Sequence, residues 1–286
     1  MKKYLLLLLW GIIVSCTTNY GQLTYITKLP NKLTENSGMV PAKDSTVWFV
    51  MDSGNPNKIY QANYKGDLVK ELKVKNAKNH DWEDMANDEN GNVYIGDFGN
   101  NGNDRKNLAI YKIPDPNAEN GDDIEAEKIE FHYPEQTQFP PKKNKFLYDA
   151  EAFFYYRNNF YIITKNRTRP FNGEALLYRV PALEGRHKAQ YLGSFVPPKG
   201  KIDGQVTSAD ISPDGKTIVL LGKGSLWVFT NFTMDNFISS GTLKTIDLGI
   251  YTQLESVSFI NNNSLLLSDE ESRKMGRNLY SFVLGN

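Results

Sequence analysis

The chain has 286 residues, and its 33 Lys and Arg balance 33 Asp and Glu, so it carries no net charge. That balance removes any electrostatic case for a nucleic-acid partner or for an anionic membrane surface. Hydrophobic residues at 40% and charged residues at 23% fit a soluble globular protein with ample core, and the length permits one or two domains.

In chain order, Lys2 and Lys3 precede an apolar run over 5–14 that ends at Ile13-Val14-Ser15-Cys16. A positive start followed by an apolar stretch too short to span a bilayer comfortably predicts an export signal. A branched apolar residue and a small residue before the chain's single cysteine match a bacterial lipoprotein signal, with Cys16 as the acylated first residue of the mature protein. An ordinary signal peptide that happens to hold a cysteine is the alternative. Either way the mature protein leaves the cytoplasm, and the lipoprotein form would anchor it in the envelope or periplasm of a bacterium. No second cysteine exists for a disulfide or a Cys-based metal site. Residues 17–22 read as a tether, and 23–286 as one domain, expected to be a monomer.

From there on the chain repeats itself, and repeats decide the fold. Five pairs of short apolar segments, rich in Val, Ile, Tyr and Phe, are bounded by Gly, Asn and Asp. They lie at 46–51 with 58–61, 92–96 with 108–113, 159–164 with 175–180, 217–221 with 225–229, and 264–268 with 278–283. Such runs read as strands. Asn90-Gly91 and Asp214-Gly215 are hairpin-turn signals. Each pair follows another short strand with a polar start, and outer strands are predicted over 68–74, 127–133, 190–196 and 242–248. Four strands per unit make the blade of an all-β propeller. The fifth unit lacks an outer strand, which 23–29 at the start of the domain can supply, closing the ring and leaving no open edge. A five-bladed propeller is therefore expected. A six-bladed one, with a blade hidden in 114–147, is the alternative.

The functional signal is a spacing. The inner strands lead with Ser37, Glu83, Glu151, Ser208 and Glu255, and the second strands end at Asp52, Asp97, Lys165, Lys223 and Asp269, each 14 or 15 residues later. In a propeller both sets ring one mouth of the central channel. Three glutamates converging there need a counter-charge, because like charges at close quarters raise each other's pKa. Oxygen-only ligands favour Ca²⁺, with Mg²⁺ as the second choice, and Ca²⁺ accepts many oxygens in loose geometry. The plainer alternative is that these residues cap strands and bind channel water. Gly/Asn-rich loops over 96–105 and 52–55, with the basic cluster Lys165, Arg167 and Arg169, add acids, amides and cations over the same mouth. Each loop alone could be a simple turn. Together they suit a small polar or phosphorylated ligand.

The order Ser, Glu, Glu, Ser, Glu at the blade starts, with Ser37-Gly38-Met39, Trp82-Glu83-Asp84, Ala150-Glu151-Ala152, Thr207-Ser208-Ala209 and Leu254-Glu255-Ser256, resembles the calcium-activated nucleotidase (apyrase) family. The resemblance covers the blade skeleton from 37 to 255. It implies a five-bladed propeller, a central Ca²⁺ held by Ser37, Glu83, Glu151, Ser208 and Glu255, and hydrolysis of nucleoside di- and triphosphates. Where that family carries paired acids followed by arginine, this chain has Asp52-Ser53-Gly54. The stretches at 51–56, 81–86 and 94–101 are also similar to exported bacterial propeller proteins of unassigned function.

Two classes of function follow. A metal-dependent hydrolase of a phosphate compound would use Asp52 or Asp97 as general base and Lys165 or Arg167 to stabilise developing charge. A binding or scaffold propeller would hold a glycan, peptide or protein over a structural ion. A glycan-cleaving enzyme is a third reading, which would rest on carboxylate separations. His80, His132 and His187 are scattered without ligand spacing, no Gly-x-Ser-x-Gly motif occurs, and 115–123 reads as a solvated acidic loop.

Overall fold

The computed structural model describes residues 19–198 and 204–285. The expected export signal, Cys16 and the start of the expected tether lie outside them. Strand β1 (Thr24–Lys28) comes first. Blade one then runs outward as β2 (Asn36–Pro41), β3 (Thr46–Met51), β4 (Lys58–Asn63) and β5 (Leu68–Lys75). Blade two is β6 (Trp82–Asn87), β7 (Val93–Asp97) and β8 (Ala109–Ile113). Short β9 (Asp123–Glu125) returns to the outer edge of blade one, parallel to β5, before β10 (Glu127–His132) completes blade two. Blade three is β11 (Asp149–Tyr156), β12 (Asn159–Lys165) and β13 (Ala175–Pro181). Here β14 (Gly185–Lys188) steps back to lie parallel to β10, and β15 (Gln190–Phe195) is the outer strand. Blade four is β16 (Val206–Ile211), β17 (Ile218–Gly222), β18 (Ser225–Thr230) and β19 (Thr242–Asp247). Blade five is β20 (Leu254–Asn261), β21 (Ser264–Asp269) and β22 (Asn278–Val283).

The result is a five-bladed propeller. Strand β1 closes it, pairing antiparallel with β22 from Thr24 opposite Ser281 to Lys28 opposite Asn278. The segment 114–147 holds β9, β10 and loops, with no sixth blade. Both expected hairpin turns use a glycine at positive φ, Gly91 at 85° and Gly215 at 70°, which side chains with a Cβ rarely adopt.

Alternation along each strand decides how the blades hold together. Trp48 faces blade two and packs with Trp82 and Ile95, while its neighbour Phe49 faces blade five and packs with Leu266 and Leu279. The same alternation produces three further inter-blade cores, around Phe153 and Phe160 between blades two and three, Phe154 and Trp227 between three and four, and Leu221 and Leu267 between four and five. Every blade is thus buried on both faces, and the inner strands β2, β6, β11, β16 and β20 stand side by side around the axis.

Candidate metal centre at the channel mouth

Each inner strand begins with one residue that its partner strand does not pair. Asn36 lies opposite Met51 and Gly38 opposite Val50, which leaves Ser37 as an extra residue. The same break leaves Glu83 between Trp82 and Asp84, Glu151 between Ala150 and Ala152, Thr207 between Val206 and Ser208, and Glu255 between Leu254 and Ser256. A bulge re-aims a side chain without ending the strand. Five of them, one per blade, set five polar side chains at the same height of the ring.

In blade four the bulge residue is therefore Thr207, one place before the expected Ser208. Two hydroxyl residues stand in succession there, and only the register separates them. Thr207 Oγ1 donates to the Leu254 carbonyl at 2.8 Å, as Ser37 Oγ donates to the Trp82 carbonyl at 2.8 Å. Each hydroxyl thus ties its blade to the residue just before the next blade's glutamate. Ser208 is used differently: its Oγ lies 3.1 Å from both Asp84 carboxylate oxygens and accepts the Val257 N–H at 3.1 Å. Asp84 also accepts the Phe153 and Ala209 N–H groups, both at 3.3 Å, so this one carboxylate links blades two, three and four beneath the mouth. Burial pushes Asp84 well above the usual carboxylate range, opposed by these hydrogen bonds.

Two acidic triads share Glu83 at the mouth. Asp52, Asp81 and Glu83 form one, and Glu83, Asp149 and Glu151 the other, with carboxylate oxygens in each within 4.8 Å of one another. Asp81 and Asp149 were not expected from the ring spacing. They stand two residues before the bulges of blades two and three, where blades one, four and five carry Glu35, Gln205 and Gln253. An acid or amide two places before a hydroxyl or glutamate, repeated five times, is the sequence signal that identifies them.

The second triad carries its own counter-charges. Lys165 Nζ lies 2.8 Å from Glu151, and Arg167 bonds Asp149 at 2.5 Å and Glu151 at 2.6 Å. Burial opposes the Lys165 charge, but Glu151 and Glu255 outweigh it and raise its pKa. Burial would likewise lift Glu151, yet Lys165 and Arg167 overturn that and hold it below the ordinary value. Asp149 goes up to about 7, through burial and the neighbouring Glu151, against the pull of Arg167.

The first triad has no ion pair among the described residues. Burial and then Asp52 push Asp81 up to about 7; Arg105 opposes the rise, but its guanidinium bonds Asp97 at 2.9 Å. Burial and then Glu151 push Glu83 well above its usual range. Asp81 Oδ1 is buried with no hydrogen-bond partner. The backbone of Gly99 closes against this triad: a Cβ there would lie 2.0 Å from Glu83 Oε1 and 2.5 Å from Asp81 Oδ2, so only glycine leaves the carboxylates their room.

The remaining expected residues divide. Asp52 sits part-exposed at the mouth within the first triad. Asp97 is fully buried and accepts from His80, Arg105 and the Asp81 N–H, so it holds the 96–105 loop in place instead of meeting solvent. Asp269 is also buried, accepting from the Asn278 N–H at 2.7 Å and the Tyr280 hydroxyl at 2.9 Å. Its neighbour Glu270 takes the mouth position, bonded to Gln253, whose carbonyl accepts Lys223 Nζ at 2.6 Å. Burial and then Asp52 push Glu270 up to about 6; burial pushes Glu255 up to about 7, against Lys165. The Asn-rich loop is built inward: Asn100 Oδ1 accepts the Asp104 and Arg105 N–H groups, and its own N–H donates to Asp149 at 2.6 Å.

Fold and mouth together define a five-bladed propeller with a carboxylate cluster able to hold a metal ion. No family model matches the chain, and no curated protein is similar to it in sequence. Among solved structures it resembles the PQQ-bound form of an aldose sugar dehydrogenase from Streptomyces coelicolor, at 9% identity and a TM-score of 0.51, over 92% of this chain and 98% of that one. A putative gluconolactonase aligns at 12% identity and a TM-score of 0.46, over 90% of this chain and 78% of its own. A gluconolactonase from Xanthomonas campestris aligns at 11% and 0.45, over 87% and 72%. At these identities the likeness is one of fold alone.

Proposed function

We propose that this chain is an exported, lipid-anchored propeller of the bacterial envelope that holds a divalent cation, Ca²⁺ ahead of Mg²⁺, at its channel mouth and hydrolyses a phosphate-containing small molecule there. The observation that carries this reading is the buried carboxylate group around Glu83, whose charges exceed what Lys165 and Arg167 neutralise. All-oxygen, carboxylate-rich donor sets suit hard cations. Such an ion polarises a phosphoryl oxygen or its bound water. Glu255, part-exposed at its bulge in blade five and pushed up to about 7 by burial, is the candidate to hand on a proton near neutral pH, a role that sealed Asp97 cannot fill. Lys165 and Arg167 fix the orientation of Glu151 and Asp149.

The test is phosphate release from a panel of nucleoside di- and triphosphates and simple phosphate esters, with Ca²⁺ and with chelator. Cation-dependent release supports the hydrolase, and silence across the panel removes it. One observation favours a non-catalytic alternative: Lys165 and Arg167 are already paired with carboxylates, which weakens their claim on a phosphoryl group. In that case the ion would be structural and the mouth would hold a glycan, peptide or protein partner. Binding of glycans or peptides, with the phosphate panel silent, would mark it.

A further inference from the structure

The two triads invite an ion on the axis, in the middle of the bulge ring. The contacts argue for a different position. On the Glu151 side, an ammonium and a guanidinium already sit against the carboxylates at 2.5 to 2.8 Å. An ion entering there must first displace Lys165, whose side chain is only 7% exposed. On the Asp81 side there is no cation to displace.

We propose that the cation seat is off the axis, between blades one and two, with Asp52, Asp81 and Glu83 as its protein ligands and Ca²⁺ as the ion, while Lys165 serves in place of an ion beside Glu151. This rests on the divalent-cation reading above and says where the ion sits. The acidic group does not carry the inference alone. Asp81 is 8% exposed, and its Oδ1 is a fully buried acceptor without a donor. Such an atom forfeits its hydration unless something positive meets it. The spacing agrees, since two oxygens about 2.4 Å from one Ca²⁺ are at most about 4.8 Å apart, and the three carboxylates meet that limit. Gly99 gives the third indication: the loop backbone passes so close to Glu83 and Asp81 that a methyl group would occupy carboxylate space. Part-exposed Asp52 opens the seat toward solvent, where waters or a ligand's oxygens would complete a shell that three carboxylates leave short of the six to eight oxygens Ca²⁺ takes.

The full chain, stripped with chelator, is titrated calorimetrically with Ca²⁺ and then Mg²⁺, alongside Asp52→Asn, Asp81→Asn, Glu151→Gln and Glu255→Gln, each checked for folding by thermal melt. Asp52→Asn and Asp81→Asn should each weaken Ca²⁺ binding by about tenfold or more, because ligand charge sets affinity, while Glu255→Gln stays within about threefold. Asp81→Asn removes like-charge repulsion and should fold at least as well as the parent. If Asp81→Asn binds like the parent and Glu151→Gln or Glu255→Gln abolishes binding, the ion is axial and the seat is wrong, though the proposed function survives. A parent protein that takes up neither ion removes both.

Discussion

The Asp149–Glu151 and Asp52–Asp81 sides of the mouth start from the same material, two carboxylates sharing Glu83, and end in opposite states. Blade three ends its second strand on Lys165 and follows it with Asn166-Arg167, and these two positive groups turn back onto its own acids. Blade two follows its second strand with Phe98-Gly99-Asn100, and its one arginine, Arg105, turns to Asp97 instead. One side is a completed ion-pair network. The other has no cation against its carboxylates among the described residues and keeps a bare acceptor. What differs is the last residue of the second strand, Lys165 against Asp97, and the loop after it, while the strand pairing is the same.

Lys165→Met tests this comparison hardest. It leaves Glu151 buried with only Arg167, and breaking a buried pair from one side costs about 3–5 kcal/mol. Denaturant unfolding should show a loss of that order. A loss below about 1 kcal/mol, the level of an exposed pair, would make the two sides alike. Next comes Gly99→Ala, whose methyl group must push Glu83 and Asp81 aside. Overpacking of this kind costs about 1–3 kcal/mol, and any rise in melting temperature on adding Ca²⁺ should vanish. A variant that melts and responds like the parent would show the loop to be free to move away.

The smallest effect is a pH slope. Asp210, in the inner strand of blade four and outside both triads, is pushed up to about 6 by burial, against hydrogen bonds from the Phe259 and Ile211 N–H groups and the Ser258 hydroxyl. Glu270 is pushed up to about 6 as well. A carboxyl whose pKa is higher folded than unfolded is held more tightly as the acid in the folded state. The contribution of these two groups is therefore greatest at the acidic end and falls as pH rises from about 4 through about 6, and Asp81, Asp149 and Glu255, raised to about 7, carry the decline further. Between pH 4.5 and about 6 Asp210 should account for roughly 2 kcal/mol of this, at about 1.4 kcal/mol per pH unit. Melts of the chelated protein from pH 4.5 to 7.5 measure the slope, which Asp210→Asn should flatten. A parent that gains stability with rising pH would contradict the assignment.

The strands and their grouping were legible because period-two alternation and Gly/Asn/Asp turns are local signals. The closure by β1 was legible because blade five ran out of chain. The two parallel edge strands were not. Residues 123–125 and 185–188 are short and polar, and only partners about fifty residues away make them strands. At the site, spacing found Glu83, Glu151 and Glu255 but put blade four one residue late, because a bulge changes register without changing composition. Asp97 and Asp269 shared the spacing of mouth residues yet turned inward, each taken by backbone and side-chain donors that the sequence order does not reveal. Lys165 and Arg167 read from the sequence as free ligands for an anion, and their pairing with Asp149 and Glu151 depends on distances no spacing carries.

The bulges have a consequence for how such a protein can change. A residue outside the ladder gives up no cross-strand partner when it is replaced, so the five positions at the mouth can be rewritten while the blades keep their pairing. Hydroxyl, carboxylate or some other group could stand at each one with the backbone ladder intact, the cost falling instead on side-chain partners such as the Trp82 and Leu254 carbonyls and Lys165. The ring thus separates two roles within one strand: a frame that must pair, and one residue per blade outside the ladder at which new chemistry can be tried.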